Sequence, residues 1–359
     1  MLSTTRRRTL QLLGLGGVAS LAGCASEAPT AAQSLDQTEE PTPAQQESPK
    51  IVEQVAANPT DIPDPITRSE PTEVDVTPRP EEVTAEVEEG VTFTYMTYNG
   101  QVPGPFIRVR QGDTVNLTFE NPEENSMPHN VDFHAVAGPG GGAEATMTNP
   151  GETVKIRFKA TYPGAYIYHC AVPNMDMHIS AGMFGLILVE PPEGLPEVDK
   201  EVYIGQHELY TDKKAGKKGK HNFDFEAMRN EEPTYVVMNG EKYAWTDAGR
   251  GPAATVNTGE TVRVFFVDGG PNLSSSFHPI GSVWETLYPD GSLSTDPQTH
   301  IQTRLVPPGS TTVATMSSPV PGDFKLVDHS LSRVTRKGCM AVIRAEGPED
   351  PEIFDPNPE

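Results

Sequence analysis

The chain has 359 residues, with 50 Asp and Glu against 27 Lys and Arg, so its formal net charge at pH 7 is −23. This length allows about two domains. The negative charge argues against a nucleic-acid partner, because phosphate binding requires a positive surface, and it is consistent with a halophilic source or simply with an acidic secreted protein.

The first 24 residues resemble an export signal. Consecutive arginines at residues 6–8 precede an apolar stretch that is too short and too rich in Gly to span a membrane. The stretch ends in Leu-Ala-Gly-Cys at Cys24, which resembles a lipoprotein cleavage box. We expect export by a twin-arginine route and a lipid anchor on the outer face of the cell membrane. An ordinary cleaved signal with an incidental Cys is the alternative.

Residues 25–88 are predicted to form a disordered acidic tether. The segment is rich in Pro, Glu, Thr, Ala and Gln, and it contains no aromatic residue. A chain of this composition buries too little apolar area to offset its conformational entropy. At the other end, residues 348–359 are assigned to an acidic tail.

The segment from residue 89 onward predicts β-strands. FIRVRQGDTVNLTFEN and TVKIRFKATYPGAYIYHC alternate apolar and polar residues in the manner of strands. No long segment has helical periodicity, and GKHNFDFEAMRN predicts one short helix. The fold class is therefore all-β, of the sandwich type.

An internal repeat divides this β-rich part in two. PGETVKIRFKATYPGAYIYHC is echoed by PGSTTVATMSSPVPGDFKLVDHS, and the spacing from Gly151 to Pro163 equals that from Gly309 to Pro321. Two related β-sandwiches in tandem explain this pattern. We place the first domain at residues 89–192 and the second at 193–347, with the join in the Pro-rich, charged segment VEPPEGLPEVDK.

Four potential metal ligands follow one another in the first domain: His129, Cys170, His178 and Met183. Two imidazoles, a thiolate and a weak thioether are the ligands of a blue-copper electron-transfer site. Structural zinc sites rarely use Met and show paired Cys spacings that are absent here. A buried free Cys with incidental His neighbours is the weaker alternative, because four matching ligand types occur in order.

Two more His residues predict a second metal site. His129 and His134 lie five positions apart, and His169 and Cys170 are adjacent. Residues an odd number of positions apart in a strand point to opposite faces of the sheet. We therefore assign His129 and Cys170 to one metal, and His134 and His169 to another.

The second site needs a third ligand, and His329 at the end of the second repeat copy is the natural candidate. Three His around a copper or zinc ion with an open position form a catalytic pattern. Asp132 lies beside these ligands in the sequence and could handle protons, and His278 in SSSFHPIG is a further candidate acid.

These residues resemble the copper-containing nitrite reductases. The matching segments are MPHNVDFH, AVAGPGGGAEATMTNPGET, YHCAVPNMDMHISAGMFGLILVEP, SSSFHPIG and LVDHSLSR. The resemblance covers roughly residues 90–347, and its adjacent His-Cys pair is highly specific. The short loop between Cys170 and His178 is similar to that of the family branch with a compact type 1 linker.

The resemblance implies a homotrimer of subunits with two cupredoxin-like Greek-key β-sandwiches and two coppers per chain. It implies a type 1 copper held by His129, Cys170, His178 and Met183. It also implies a type 2 copper held by His134 and His169 of one subunit and His329 of its neighbour.

The resemblance implies roles for three further residues and a reaction. Asp132 and His278 correspond to the proton-handling pair that flanks bound nitrite, and Ile280 corresponds to an Ile packed over the substrate. The reaction is the dissimilatory one-electron reduction of nitrite to nitric oxide, which consumes two protons and releases water. It is associated with denitrification and nitrate assimilation. A small electron-donor protein, such as a cupredoxin or a cytochrome, would supply the electron.

Two rival functions are weaker. A multicopper oxidase of the laccase type needs several His-X-His pairs, and none of the nine His forms one; Ala171 after Cys170 also excludes His-Cys-His. A non-enzymatic blue-copper electron carrier would leave the second set of ligands and the proton-handling pair without a purpose. Cys339 and the basic run at residues 213–220 receive no role.

Overall fold

The computed structural model describes residues 49–358, and short β-strands are the main regular secondary structure in them. The N-terminal half contributes β1 (Lys50–Ile51), β2 (Glu73–Val76), β3 (Pro80–Glu88), β4 (Val91–Tyr98), β5 (Ile107–Arg110), β6 (Thr114–Glu120), β7 (Asp132–Phe133), β8 (Thr153–Lys159), β9 (Gly164–His169) and β10 (Phe184–Glu190). The C-terminal half contributes β11 (Lys200–Leu209), β12 (Gly219–His221), β13 (Tyr235–Met238), β14 (Ala254–Asn257), β15 (Thr261–Gly270), β16 (Ser275–Ile280), β17 (Trp284–Tyr288), β18 (Gln298–Ile301), β19 (Arg304–Val306), β20 (Ser310–Ser317), β21 (Gly322–Asp328) and β22 (Met340–Glu346).

The helices are few and short: α1 (Met175–Ser180), α2 (Phe225–Arg229) and α3 (Leu331–Lys337), with 3₁₀ turns at Pro139–Gly142 and Pro289–Gly291. The second helix lies inside the segment that predicted one. No helix between residues 49 and 358 is both long and apolar enough to cross a membrane. The predicted all-β class is confirmed.

The strands form two groups of sheets that follow the predicted tandem arrangement. In the N-terminal half the sheet orders are β5-β10-β9-β7, β2-β6-β8 and β1-β3-β4-β12. The C-terminal half has a six-stranded sheet, β13-β11-β15-β20-β17-β18, and a five-stranded sheet, β14-β22-β21-β16-β19. Strand β12 links the two halves: it belongs to the C-terminal half of the sequence, but it pairs in parallel with β4 of the N-terminal half.

The internal repeat corresponds to one structural unit in each half. Strands β8 and β9 lie in different sheets of the first half, and β20 and β21 lie in different sheets of the second. In both copies the chain therefore crosses from one sheet to the other at the central turn. The second strand of each pair then ends at predicted site residues, His169 and Cys170 in one copy and His329 in the other.

Three apolar clusters hold these sheets together. One fills the first sandwich and another fills the second, around Trp284. The third joins the halves, with Phe184 of β10 and Phe265 of β15 among its buried members. At this junction the guanidinium of buried Arg108 lies 2.8 Å from the carboxylate of Glu201. The two halves share a continuous apolar interface, which fixes the position of one relative to the other.

The predicted C-terminal boundary of the disordered tether is wrong, because residues 49–88 belong to the folded body. Strand β3 pairs with β4 in an antiparallel manner along its length. Its buried residues Val83, Ala85 and Val87 alternate with more polar ones, which is a strand pattern that the average composition of the segment conceals. The rest of the predicted tether, residues 25–48, lies outside the described residues, as does the export signal with Cys24.

His207 of β11 is fully buried at the junction of the halves. Its Nδ1 lies 2.9 Å from the carbonyl oxygen of Ser180, at the end of α1, and its ring centroid lies 5.5 Å from that of Phe184. Burial lowers the pKa of His207 to about 4, and the hydrogen bond with Ser180 opposes this effect only in part. The imidazole is therefore neutral in the folded protein near pH 7.

We expect the metal-free protein to lose stability as the pH falls from about 6.5, the ordinary pKa of His, to about 4. In this window the unfolded chain protonates His207 and the folded chain does not, so the unfolded state binds more protons and acid favours unfolding. At pH 4 the contribution is about 3 kcal/mol. Denaturant titrations should show a weaker pH dependence for His207→Gln. The exposed His300, changed to Asn, is the matched control, and equal behaviour of the two variants would contradict the expectation.

Candidate metal centres

Three buried side chains of the first half converge on one point. The Sγ of Cys170 lies 3.5 Å from Nδ1 of His178 and 3.9 Å from Nδ1 of His129. The three potential ligand atoms all lie within 4.8 Å of one another, and none of the three residues is exposed to solvent. The structure thus brings together three of the four residues that the sequence assigned to the first metal.

The loop between β9 and β10 supplies most of this group. The backbone N–H of Cys170 donates to the carbonyl of Met183 over 3.1 Å, which closes the base of the loop. Helix α1 lies within the loop and carries His178, whose carbonyl accepts from the N–H of Met183 over 3.0 Å. Met183 is fully buried in the same apolar cluster as Cys170. The predicted thioether residue is therefore hydrogen-bonded to Cys170 through the backbone and belongs to the same apolar cluster.

A second group lies on the other side of the His169–Cys170 pair. The Nε2 atoms of His134 and His169 are 3.1 Å apart, and a carboxylate oxygen of Asp132 lies within 4.8 Å of both imidazoles' ligand atoms. Asp132 pairs with His169 across β7 and β9, which places the carboxylate next to the imidazole. Asp132 is half-buried and His134 is exposed, so the group opens to solvent.

The two remaining predicted site His residues form a pair in the second half. The ring centroids of His278, on β16, and His329, just after β21, are 5.3 Å apart. Nδ1 of His278 donates to the carbonyl of Gln302, and the backbone N–H of His329 donates to the carbonyl of Ser276 over 2.7 Å. Ile280 follows on β16 with 38% of its surface exposed. Among the residues that the structure describes, His329 joins neither of the two groups above within one chain.

Comparison with known proteins assigns this arrangement to a family. A profile described as multicopper oxidase matches residues 80–194. The copper-containing nitrite reductase of Neisseria meningitidis serogroup B is 45% identical over 304 residues, which is 85% of this chain and 77% of that protein. The chain belongs to the copper-containing nitrite reductases.

More distant members of the nitrite reductase family agree with this assignment. The copper-containing nitrite reductase of Pseudomonas chlororaphis is 35% identical over 286 residues, which is 74% of this chain and 77% of that protein. The solved copper nitrite reductase of Nitrosomonas europaea superposes with a TM-score of 0.69 at 34% identity, covering 78% of this chain and 96% of that chain. The predicted cupredoxin-like fold is confirmed, and the laccase alternative has less support.

The chemistry of the first group fits copper. Burial raises the pKa of the Cys170 thiol to about 11, and burial followed by the neighbouring His129 lowers the pKa of His178 to about 4. Cys170 and His178 are thus uncharged before a metal binds. A soft cation that takes the place of the thiol proton compensates the charge of the buried thiolate. One thiolate with two imidazoles is a donor set that selects copper in this packing.

The second group also fits copper. Although His134 as a whole residue is exposed, the protein around its ring partly desolvates the imidazole. This desolvation and then the neighbouring His169 lower the pKa of His134, so its lone pair is available at pH 7. Nδ1 of His169 donates to the carbonyl of Cys170 over 3.0 Å, which leaves Nε2 as the free ligand atom. Two imidazole nitrogens that face each other at 3.1 Å match a site where both bind one ion.

Sequence reasoning missed Asn130 and Asp328, which form hydrogen bonds beside the predicted ligands. Oδ1 of Asn130 accepts from the N–H of Ala171 over 2.7 Å and lies 3.6 Å from Sγ of Cys170. In the second half, Oδ1 of buried Asp328 accepts from the backbone N–H groups of Ser276 and Ser330, each over 3.0 Å, on either side of His329. Each lies directly beside a predicted ligand, His129 or His329, which is the only sequence signal that points to it.

The remaining Cys and the basic run have structural surroundings. Cys339 is buried, and its Sγ donates to Oε1 of Gln206 over 3.2 Å. Most of residues 213–220 are exposed. Neither feature lies in the two ligand groups.

Proposed function

We propose that this chain reduces nitrite to nitric oxide with two coppers per chain, each held by one of the ligand sets. The type 1 set is His129, Cys170, His178 and Met183, and the type 2 set is His134 and His169 of one subunit with His329 of a neighbour. The observation that carries the proposal is that adjacent residues, His169 and Cys170, belong to two different ligand groups.

The His169–Cys170 pair gives the electron a short route between the two sites. The residues share a peptide bond, and Nδ1 of His169 also donates to the carbonyl of Cys170 over 3.0 Å. A covalent path and a hydrogen bond therefore join a thiol in one group to an imidazole in the other. This arrangement suits a one-electron reaction in which the electron enters at the buried site and is used at the open one.

Nitrite reduction also needs protons and a shielded substrate. A copper ion held by His134, His169 and a neighbour's His329 would supply the electron and Lewis-acid polarisation of the N–O bond. Asp132 lies beside His134 and His169, in a position to donate a proton to the departing oxygen. His278 uses Nδ1 to hold the carbonyl of Gln302, which leaves Nε2 as the atom that holds and moves the second proton. The apolar side chain of Ile280, close by on β16, would exclude water from the bound substrate.

A homotrimer completes the type 2 site in this proposal. His329 is exposed and pairs with His278, whereas His134 and His169 form their own group, so each chain offers two partial sets. Cyclic association of identical chains can bring one partial set of each subunit against the other partial set of its neighbour.

The location and electron supply are further parts of the proposal. The arginines at residues 6–8 and Cys24 support twin-arginine export and lipid anchoring outside the cell membrane. A small cupredoxin or cytochrome would deliver the electron near the type 1 site. The net charge of −23 supports a halophilic source, and the reaction would serve denitrification and nitrate assimilation.

A copper count combined with a nitric oxide assay tests the function. Metal analysis of the purified protein should give two coppers per chain, and reduced protein should release nitric oxide only when nitrite is present. One copper per chain, or zinc in both sites, would contradict the two-site assignment. Copper-loaded protein that consumes oxygen with a phenolic substrate and releases no nitric oxide would point to the laccase alternative.

A further inference from the structure

A buried carboxylate lies behind the type 1 ligand His129. Oε1 of Glu82, on β3, is 3.2 Å from Nε2 of His129, on the side of the ring away from Cys170. The Glu82 side chain is only 5% exposed. It comes from the strand that composition alone had placed in the disordered tether, so no metal-site pattern in the sequence points to it.

The surrounding chain holds this carboxylate firmly. Oε1 of Glu82 accepts from the backbone N–H groups of Ser126 and Met127 over 2.9 and 3.0 Å, and Oε2 accepts from the hydroxyl of Ser126 over 2.5 Å. The backbone N–H of Glu82 donates to Oδ1 of Asn125 over 3.0 Å. The Glu82 carboxylate therefore accepts from four donors, including Nε2 of His129. The backbone of Glu82 is held separately by its hydrogen bond to Asn125.

These donors favour the ionised form of Glu82. The carboxylate accepts from two backbone N–H groups, a hydroxyl and an imidazole, and each of these donors is best matched by a negatively charged oxygen. No Lys or Arg of residues 49–358 lies within 4.0 Å of the carboxylate. The negative charge thus faces the imidazole of His129 in a region with little water, where its field is weakly screened.

The contact also decides which nitrogen of His129 carries the proton. A carboxylate at Nε2 keeps the proton there, so the lone pair of Nδ1 points toward Cys170. His178 differs, because its buried Nε2 has no hydrogen-bond partner among the described residues. The two imidazoles of the type 1 site are therefore unequal, and only His129 is backed by a charge.

We propose that Glu82 is a positioning residue of the type 1 site, which fixes the tautomer of His129 and whose charge favours oxidised over reduced copper. The inference rests on the proposed type 1 copper. A negative charge hydrogen-bonded to a ligand imidazole makes that ligand more basic, and a more basic ligand stabilises the ion of higher charge. Glu82 thereby lowers the reduction potential of the site that passes the electron to the type 2 copper.

The test is the reduction potential of the type 1 copper in the copper-loaded, full-length protein, followed by its visible absorption. Glu82→Gln keeps the size of the side chain and removes the charge. In Glu82→Gln we expect the reduction potential of the type 1 copper to rise by about 59 mV. For one electron this lowers the ratio of oxidised to reduced copper at a fixed potential about tenfold. The visible band should remain, since its ligands are unchanged.

Two companion variants make the outcome decisive. Glu81→Gln removes the same charge from the adjacent position on β3, where no ligand is contacted, and should leave the potential unchanged. Glu82→Asp keeps the charge and should stay near the wild-type potential. If Glu82→Gln loses the visible band while Glu82→Asp keeps it, the positioning role is supported.

Three results would overturn the inference: equal potentials in Glu82→Gln and Glu81→Gln, a potential in Glu82→Asp that matches that of Glu82→Gln, or loss of the visible band in both Glu82 variants. Wild-type protein without a type 1 copper signal is a separate outcome. In that case the proposed function fails first, and the role of Glu82 fails with it.

Discussion

Changing Asp132 to Asn is expected to lower nitrite turnover about a hundredfold or more, because in the proposed mechanism it removes the carboxyl that donates a proton to the departing oxygen. The carboxylate lies within 4.8 Å of the ligand atoms of His134 and His169. The backbone of Gly141 packs directly against the Asp132 carboxylate, because a Cβ atom added at position 141 would lie only 1.8 Å from Oδ1 of Asp132. The side chain is thus confined beside the open metal site. Steady-state turnover at saturating nitrite is the measurement.

The visible absorption of the Cys170 site and the copper count should stay at their wild-type values in Asp132→Asn, since the carboxylate belongs to the other group. Glu144→Gln, an exposed acid farther along the chain, is the matched control and should keep full turnover. Unchanged turnover in Asp132→Asn would refute the proton-donor role. A lost type 2 copper would instead identify Asp132 as a ligand.

The first ligand group was accessible to sequence reasoning because most of it is local. Cys170, His178 and Met183 lie in one loop between two strands, so their order along the chain nearly fixes their proximity. The division of His129 and His134 between two groups was argued from strand alternation. In the structure β7 contains only Asp132 and Phe133, and His129 forms an isolated bridge with Thr148. His129 and His134 face different ligand groups, although β7 is too short for strand alternation to span both residues.

The features that sequence reasoning missed depend on contacts between distant segments. Glu82 reaches His129 from β3, which pairs with β4, and pairing between strands leaves no local signature in composition. The fixing of His329 by Asp328 depends likewise on β16 and β21 lying side by side. The repeat predicted that these strands exist, but it could not predict which side chains meet across them.

The proposed sharing of the type 2 site between subunits has a consequence that two inactive variants can reveal. His134→Ala and His329→Ala should each lose nearly all nitrite turnover, because each removes one imidazole ligand. Co-expressed together, they should regain activity. The His329→Ala subunit keeps His134 and His169, and the His134→Ala subunit keeps His329. Where the first meets the second in the correct order, the interface has a complete ligand set, and random cyclic assembly produces this pairing at about a quarter of the interfaces.

The control mixture combines His134→Ala with His169→Ala. Both changes damage the same partial set, so no pairing of subunits rebuilds a site and activity should stay absent. If the His134→Ala and His329→Ala mixture also stays inactive although the chains associate, His329 does not act across an interface. The ligands would then come from one chain, and Asp132 beside His134 and His169 would be the third of them. The pair formed by the exposed His329 and the half-buried His278 favours the shared site, since an isolated chain leaves this pair without the ligand group that it would complete.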